Sequence, residues 1–343
     1  MACLVLLSTV LTACNNDNED DTLANWIWDN NNEDTNTDIV NQGWINVDSV
    51  YGTLPSYINV YKSPSTLQSK LAVAYIAVAD MSSATFNILG DVGYNETANG
   101  YGSTSVFTPT EFYSTNNASV IVNGGLFFWD DSSITSGFYY SQNLLIRDSK
   151  LLAPNQNYYS EDWIKFWYPT LGAFCELEDG TYQSIWTYYT SENINYCYSS
   201  PADNNATKDP LEVPSATFPT DATVLNAKTG IGGVTVLLKD GVIKNTYTQE
   251  MLDVSANSNQ PRTAIGITED NKLIIFVCEG RDITEGVEGF TTADEAIIMQ
   301  NLGCINALNL DGGGSSCMLI NGKETIQPSE GEERAVLDCI SLK

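Results

Sequence analysis

From about Trp44 onward the chain is written in short runs of Val, Ile, Tyr and Thr, separated by Gly, Asn, Asp and Pro. That alternation of brief β-prone runs with turn residues commits most of the chain to strands. Tyr57-Ile58-Asn59-Val60-Tyr61 and part of Ala72 to Ala79 alternate as half-buried strands do. Val234 to Leu238 and Val242 to Tyr247 flank Lys239-Asp240-Gly241, an Asp-Gly hairpin signal, and Ala264 to Thr268 with Lys272 to Cys278 make a second hairpin. The best helix starts at Thr292-Ala293-Asp294-Glu295, a capping-box spacing, and stops at Gly303; Ile305 to Leu310 then reads as a strand. The expected class is α+β, a β-rich mixed sheet partly covered by a few helices.

Charge and composition narrow the chemistry. With 15 Lys+Arg against 43 Asp+Glu, the formal charge is −28, so contacts to nucleic-acid phosphates are disfavoured. The chain has no histidine, which removes Ser-His-Asp and Cys-His catalysis and imidazole-built zinc sites. Calcium and magnesium take carboxylate and carbonyl oxygens, so they stay compatible with the composition, although nothing in the sequence requires a cofactor.

Residues 1–13 form a short apolar run ending in Leu11-Thr12-Ala13-Cys14, which resembles a lipoprotein signal with Cys14 as the lipidated residue. Asn15 to Asp38 holds eight Asn and eight Asp or Glu without a Lys or Arg, too polar to fold, and reads as a tether. The expected organisation is a signal at 1–13, a tether at 14–38, a β-rich part at 39–115 and a core at 116–343 carrying an aromatic-rich insertion at about 129–225. The expected location is the bacterial cell envelope, with the membrane reached only through the lipid. Six further cysteines permit disulfides, Cys175 with Cys197 being the favoured pair and free buried thiols the alternative.

Between Leu126 and Tyr198 lie 19 of the 36 aromatic residues. Such rings either fill a β surface or stack on the apolar faces of sugars, and their density favours a carbohydrate cleft for one or two of them.

The richest stretch is Asn309-Leu310-Asp311-Gly312-Gly313-Gly314-Ser315-Ser316 at a strand end. Consecutive glycines let the backbone approach a ligand and turn N–H groups toward an anion. Asn123-Gly124-Gly125-Leu126-Phe127-Phe128 follows a strand, Pro261-Arg262-Thr263 opens another, and Cys278-Glu279-Gly280-Arg281 closes the next. In this order, with Leu302-Gly303, these segments resemble the phosphodiester glycosidase family, with Glu279 standing where the family usually has Asp. The resemblance implies a hydrolase cutting a sugar-phosphate diester at the sugar C1–O bond. Its carbohydrate substrate carries a phosphate suited to arginine forks and backbone N–H donors, and the ring cation that develops is suited to a carboxylate.

On that reading Asp311 is the first catalytic candidate and Glu279 the second. Arg262 and Arg281 bind phosphate, Gly312, Gly313, Gly314 and Ser315 form a supporting nest, and Asn123 and Asn309 assist in binding. Only four arginines exist, and the other two, Arg147 and Arg334, are expected in structural ion pairs. The rival readings are a non-catalytic surface glycan-binding lipoprotein and a metal-dependent phosphodiesterase cutting P–O.

Overall fold

A run such as Leu273-Ile274-Ile275-Phe276-Val277 has no polar face, so a strand built from it must be covered on both sides. In the computed structural model, which describes residues 37–130, 137–160, 163–203 and 212–343, this strand, Lys272–Cys278, is an inner member of an eight-stranded sheet. It pairs with Ala74–Asp80 on one side and Arg262–Thr268 on the other, and Cys304–Asn309 lies beyond. Alternate side chains part to opposite faces, as a pleat requires. Leu273, Ile275 and Val277 enter the largest core, while Ile274, Phe276 and Cys278 pack with Ala296 and Met299 of the helix Thr292–Asn301.

The largest core is shared with two more sheets. A seven-stranded sheet contributes Phe174, Trp186 and Ile231, and a five-stranded sheet contributes Val120, Val122, Met318 and Ile340. The helix Pro109–Asn116 covers the outer face of the five-stranded sheet, where Phe112 meets Ile121 and Leu319. Strand outweighs helix, 40% against 11%, which is the β-rich α+β class expected. The pairings of the described strands are antiparallel throughout rather than mixed in direction. Ile39–Lys343 form one compact unit. The proposed signal, Cys14 and nearly all of the tether lie outside the described residues. No described helix is long and apolar enough to cross a membrane.

Two local expectations shift. The helix cap is Thr291, not Thr292: Thr291 Oγ1 accepts from Asp294 N, and the Asp294 carboxylate accepts from Thr291 N. Moving the cap back by one residue turns Glu295 into the interior, where it is fully buried. The favoured Cys175–Cys197 disulfide does not form, and the six described cysteines are free thiols. Cys175 opposes Gln183 and Cys197 opposes Thr187 on the intervening strand, so they sit two strands apart and four residues out of step. At ~4.8 Å per strand and ~3.3 Å per residue, that exceeds the roughly 7 Å that a disulfide spans between Cα atoms.

Register aligns the strand ends that carry the motifs. Arg262 opposes Cys278, Ala264 opposes Asn309 and, in the five-stranded sheet, Asn123 opposes Cys339. All of these ends face the junction between the two sheets.

Candidate active site

Asn123 closes that junction. Its Nδ2 donates to the Asp311 carbonyl (2.7 Å), and its Oδ1 accepts from Thr263 Oγ1 (2.9 Å) and Cys317 N (3.2 Å). Asp311 N in turn donates to the Gly124 carbonyl at 3.1 Å. One buried amide thus joins four segments and fixes where Asp311 stands. A buried side chain with donor and acceptor both satisfied is a fixed point of the fold, so Asn123 positions the site rather than offering itself to a ligand.

Beside Asp311 opens a polar cavity of about 230 Å³, lined by Gly312, Gly313, Gly314, Arg281 and Arg334 together with Gln260, Arg262 and Leu126. Gly313 has φ +61, and a Cβ there would lie 2.6 Å from Arg281 Nη2. Glycine at this position therefore gives the guanidinium its place. Arg281 (φ +58) and Asp282 (φ +62) form a left-handed pair, an unusual backbone for side-chain-bearing residues. It is held by Arg281 N to Glu288 O and Asp282 N to Val287 O, and Arg281 Nε donates to Gln260 Oε1 at 2.9 Å. Arg334 enters from the other side, with Nη1 donating to Ser315 Oγ at 3.2 Å and the fork paired with Glu330. Burial raises the Asp311 carboxyl above the ordinary aspartate range; bonds from Ser315 and Gly312 N and the charges of Arg334 and Arg281 oppose that rise.

Several expected ligand-binding groups are used elsewhere. Arg262 is buried, and its guanidinium donates to the carbonyls of Phe290, Val254, Ser255 and Ser258 at 2.8 to 3.0 Å. It is a wall of the cavity that secures the 254–258 loop, with buried Glu295 as its nearby countercharge. Arg262, expected as a phosphate clamp, thus spends its guanidinium on these carbonyls, and Arg281 and Arg334 are the other two arginines of the cavity lining. Glu279 is likewise committed: Oε2 accepts from Thr284 Oγ1 (2.6 Å) and Oε1 from Gln327 N (2.9 Å), away from the cavity lining. Asn309 is fully buried, with Nδ2 on the Val234 carbonyl. The glycine nest is smaller than expected, because Gly312 N donates to Asp311 Oδ1 and Gly313 N to Pro261 O. Ser315 lies beneath, joining Arg334 to Asp311.

Asp338 has no distinguishing sequence signal. It precedes the strand Cys339–Leu342, is 1% exposed, and takes Gly125 N on Oδ1 at 3.0 Å while Oδ2 has no partner. Burial and the neighbouring Asp311 charge push its carboxyl up to about 7. A second carboxyl thus lies across the Gly124-Gly125 turn from Asp311. Among the described residues, no group of three or more His, Cys, Asp or Glu stands close enough to hold a metal ion.

The segment that supplies these groups matches a family model described as phosphodiester glycosidase, over residues 189–343. Human N-acetylglucosamine-1-phosphodiester alpha-N-acetylglucosaminidase is 32% identical over 110 residues, 29% of this chain and 21% of the human protein. The SPbeta prophage-derived uncharacterized protein YomE of Bacillus subtilis (strain 168) is 37% identical over 106 residues, 31% of this chain and 16% of that protein. The chain thus spans about a fifth or less of these relatives. Among solved structures, the zebrafish N-acetylglucosamine-1-phosphodiester alpha-N-acetylglucosaminidase catalytic domain, auto-inhibited by its pro-peptide, superposes with a TM-score of 0.54 at 20% identity, covering 85% of each chain. A hypothetical protein from Synechocystis superposes at 0.53 and 14% identity, over 85% of this chain and 64% of that one. These likenesses show a shared fold. Arg281, Arg334, Asp311 and Asp338 all lie inside the segment that the family model matches.

Proposed function

We propose that this protein is a hydrolase that cleaves a sugar-phosphate diester at the sugar C1–O bond, with the phosphate held by Arg281 and Arg334 and Asp311 at the anomeric carbon. The observation that carries this reading is the convergence of the Arg281 and Arg334 guanidinium groups and the Asp311 carboxyl around Gly312–Gly314, within the segment that the family model matches. A phosphate monoester is a good leaving group and needs charge stabilisation more than a proton, which two arginine forks supply. Positive charge on the sugar ring favours an adjacent carboxylate, as nucleophile or as base for water. The human and mouse relatives, named for N-acetylglucosamine-1-phosphodiester cleavage, support the substrate class.

Hydrolysis of synthetic sugar 1-phosphate methyl diesters in ¹⁸O water tests this. Label in the free sugar is expected; label in the phosphate assigns P–O cleavage instead, and absence of turnover removes the enzymatic reading. Arg281→Ala and Arg334→Ala should each lower kcat/KM by about 10²-fold or more.

A further inference from the structure

A second, larger concavity lies outside that site and mostly outside the segment that the family model matches. It measures about 760 Å³ and opens between the sheet containing Gly100–Ser103 and Phe138–Ser141, residues 154–160 with Trp163, and the turn after Tyr189. Its apolar surface comes from rings: Tyr94, Tyr101, Phe128, Tyr158, Trp163 and Tyr189 are the main ones, and no Leu, Ile, Val or Met lines it. Trp163 is 72% exposed, and Phe128 is backed by Tyr140 in a stacked pair at 5.0 Å. The remaining lining is mostly amide and hydroxyl, and amides secure it: Gln142 Nε2 donates to Gln156 Oε1, Gln156 Nε2 to the Tyr158 carbonyl and Asn157 Nδ2 to the Tyr189 carbonyl. Although the chain carries −28, no described lining residue is charged.

We propose that this cleft binds a neutral glycan chain. An anionic glycan or a nucleic acid would need cations, and none is among the described lining residues. Flat rings offer surfaces for the C–H faces of pyranoses, while fixed amides and tyrosine hydroxyls suit sugar hydroxyls. The volume falls within the range of roughly 300–1,000 Å³ usual for ligand pockets, enough for a short run of sugar units. The cleft touches the phosphate pocket at one place: Leu126, which lines that pocket, accepts from N–H of Gln142, which lines the cleft, at 3.0 Å. Glycan binding does not depend on the hydrolytic reading.

The test is calorimetric titration of the full chain with hexasaccharides of β-1,4-glucan, α-1,4-glucan, xylan and mannan, and with oligogalacturonate as the anionic counterpart. Binding of at least one neutral hexasaccharide is expected, weakened about tenfold by Trp163→Ala or Tyr158→Ala, both at open positions. Arg281→Ala should bind it as the unaltered protein does. The proposal is overturned if no neutral hexasaccharide binds, if both ring variants bind unchanged, or if oligogalacturonate binds as tightly. Diester turnover measured on the same samples separates the two readings: glycan binding without turnover removes only the hydrolytic one.

Discussion

The two concavities differ in size and chemistry. The smaller is lined by three arginines and two aspartates within about 230 Å³, while the larger has rings and amides within about 760 Å³ and no charged group among its described lining residues. The small one sits at strand ends fixed by buried hydrogen bonds, and its chemistry depends on a few atoms held against desolvation. The large one is spread over loops and sheet edges, and its energy would be divided among several rings. A substitution in the first should therefore abolish a function that one in the second only weakens.

The greatest contrast is expected from Asp311→Asn, which should lower diester turnover by about 10³-fold while leaving glycan affinity unchanged; Trp163→Ala should do the reverse. Equal loss of both properties in either variant would show that the cavities work as one. The second contrast lies between two arginines of one pocket. Arg262→Met strands four carbonyls and buried Glu295, and should cost about 3–5 kcal/mol in urea unfolding, whereas exposed Arg281→Met should cost less than about 1 kcal/mol.

pH should also distinguish the two. Turnover should fall on acidification through a value above the ordinary aspartate range, because burial raises the Asp311 carboxyl. Glycan binding should stay level between about pH 5 and 8.5, because the described lining residues include no Asp, Glu, His, Lys or Cys and burial pushes Tyr101 up to about 12. Stability has its own dependence, set by carboxyls raised in the folded state: Glu250 and Asp338 to about 7 and Glu295 to about 8. Their stabilising contribution is full below the unfolded carboxylate range, near pH 4, and is lost as pH rises through 7 to 8. Urea midpoints should accordingly fall between pH 5 and 8.5, and Asp338→Asn should flatten the decline. The smallest effect is expected for Glu279→Gln, which keeps one acceptor for Thr284 or Gln327 and should change kcat/KM less than about threefold.

Much of the fold was legible because its signals are local. The Lys272–Cys278 and Val236–Lys239 hairpins follow from β-prone runs around Asp270-Asn271 and Asp240-Gly241, and the helix before Gly303 follows from its cap and stop. Thr291 and Thr292 are adjacent and each has an acid three residues on, so spacing alone could not choose between them; burial of Glu295 did. Asp311 and Arg281 stand out in the sequence through their glycine surroundings, and the structure places both at one cavity. Arg262 lines it too, but its partners are backbone carbonyls, and no residue type announces those. Arg334, read as an ion pair with an acid, does pair with Glu330, yet it also reaches Ser315, a contact across 19 residues that sequence spacing does not report. Asp338 is an ordinary acid before a strand, and only tertiary burial makes it unusual. The aromatic cleft was visible as composition, but which rings share a wall was set by pairings such as Phe128 with Tyr140.

The turn at Gly124-Gly125 has a consequence for synthesis. Its partner Asp338 lies 213 residues beyond Gly125, and the strand that follows, Cys339–Leu342, is interior to its sheet, between Val120–Asn123 and Phe86–Leu89. A nascent chain on the ribosome therefore carries Val120–Asn123 and Phe86–Leu89 with unsatisfied edges until residues 339–342 emerge. Contacts so distant in sequence slow folding, so this sheet closes late, and a nascent chain stalled between residues 335 and 337 would already hold Arg281, Arg334 and Asp311 without the strand that completes it.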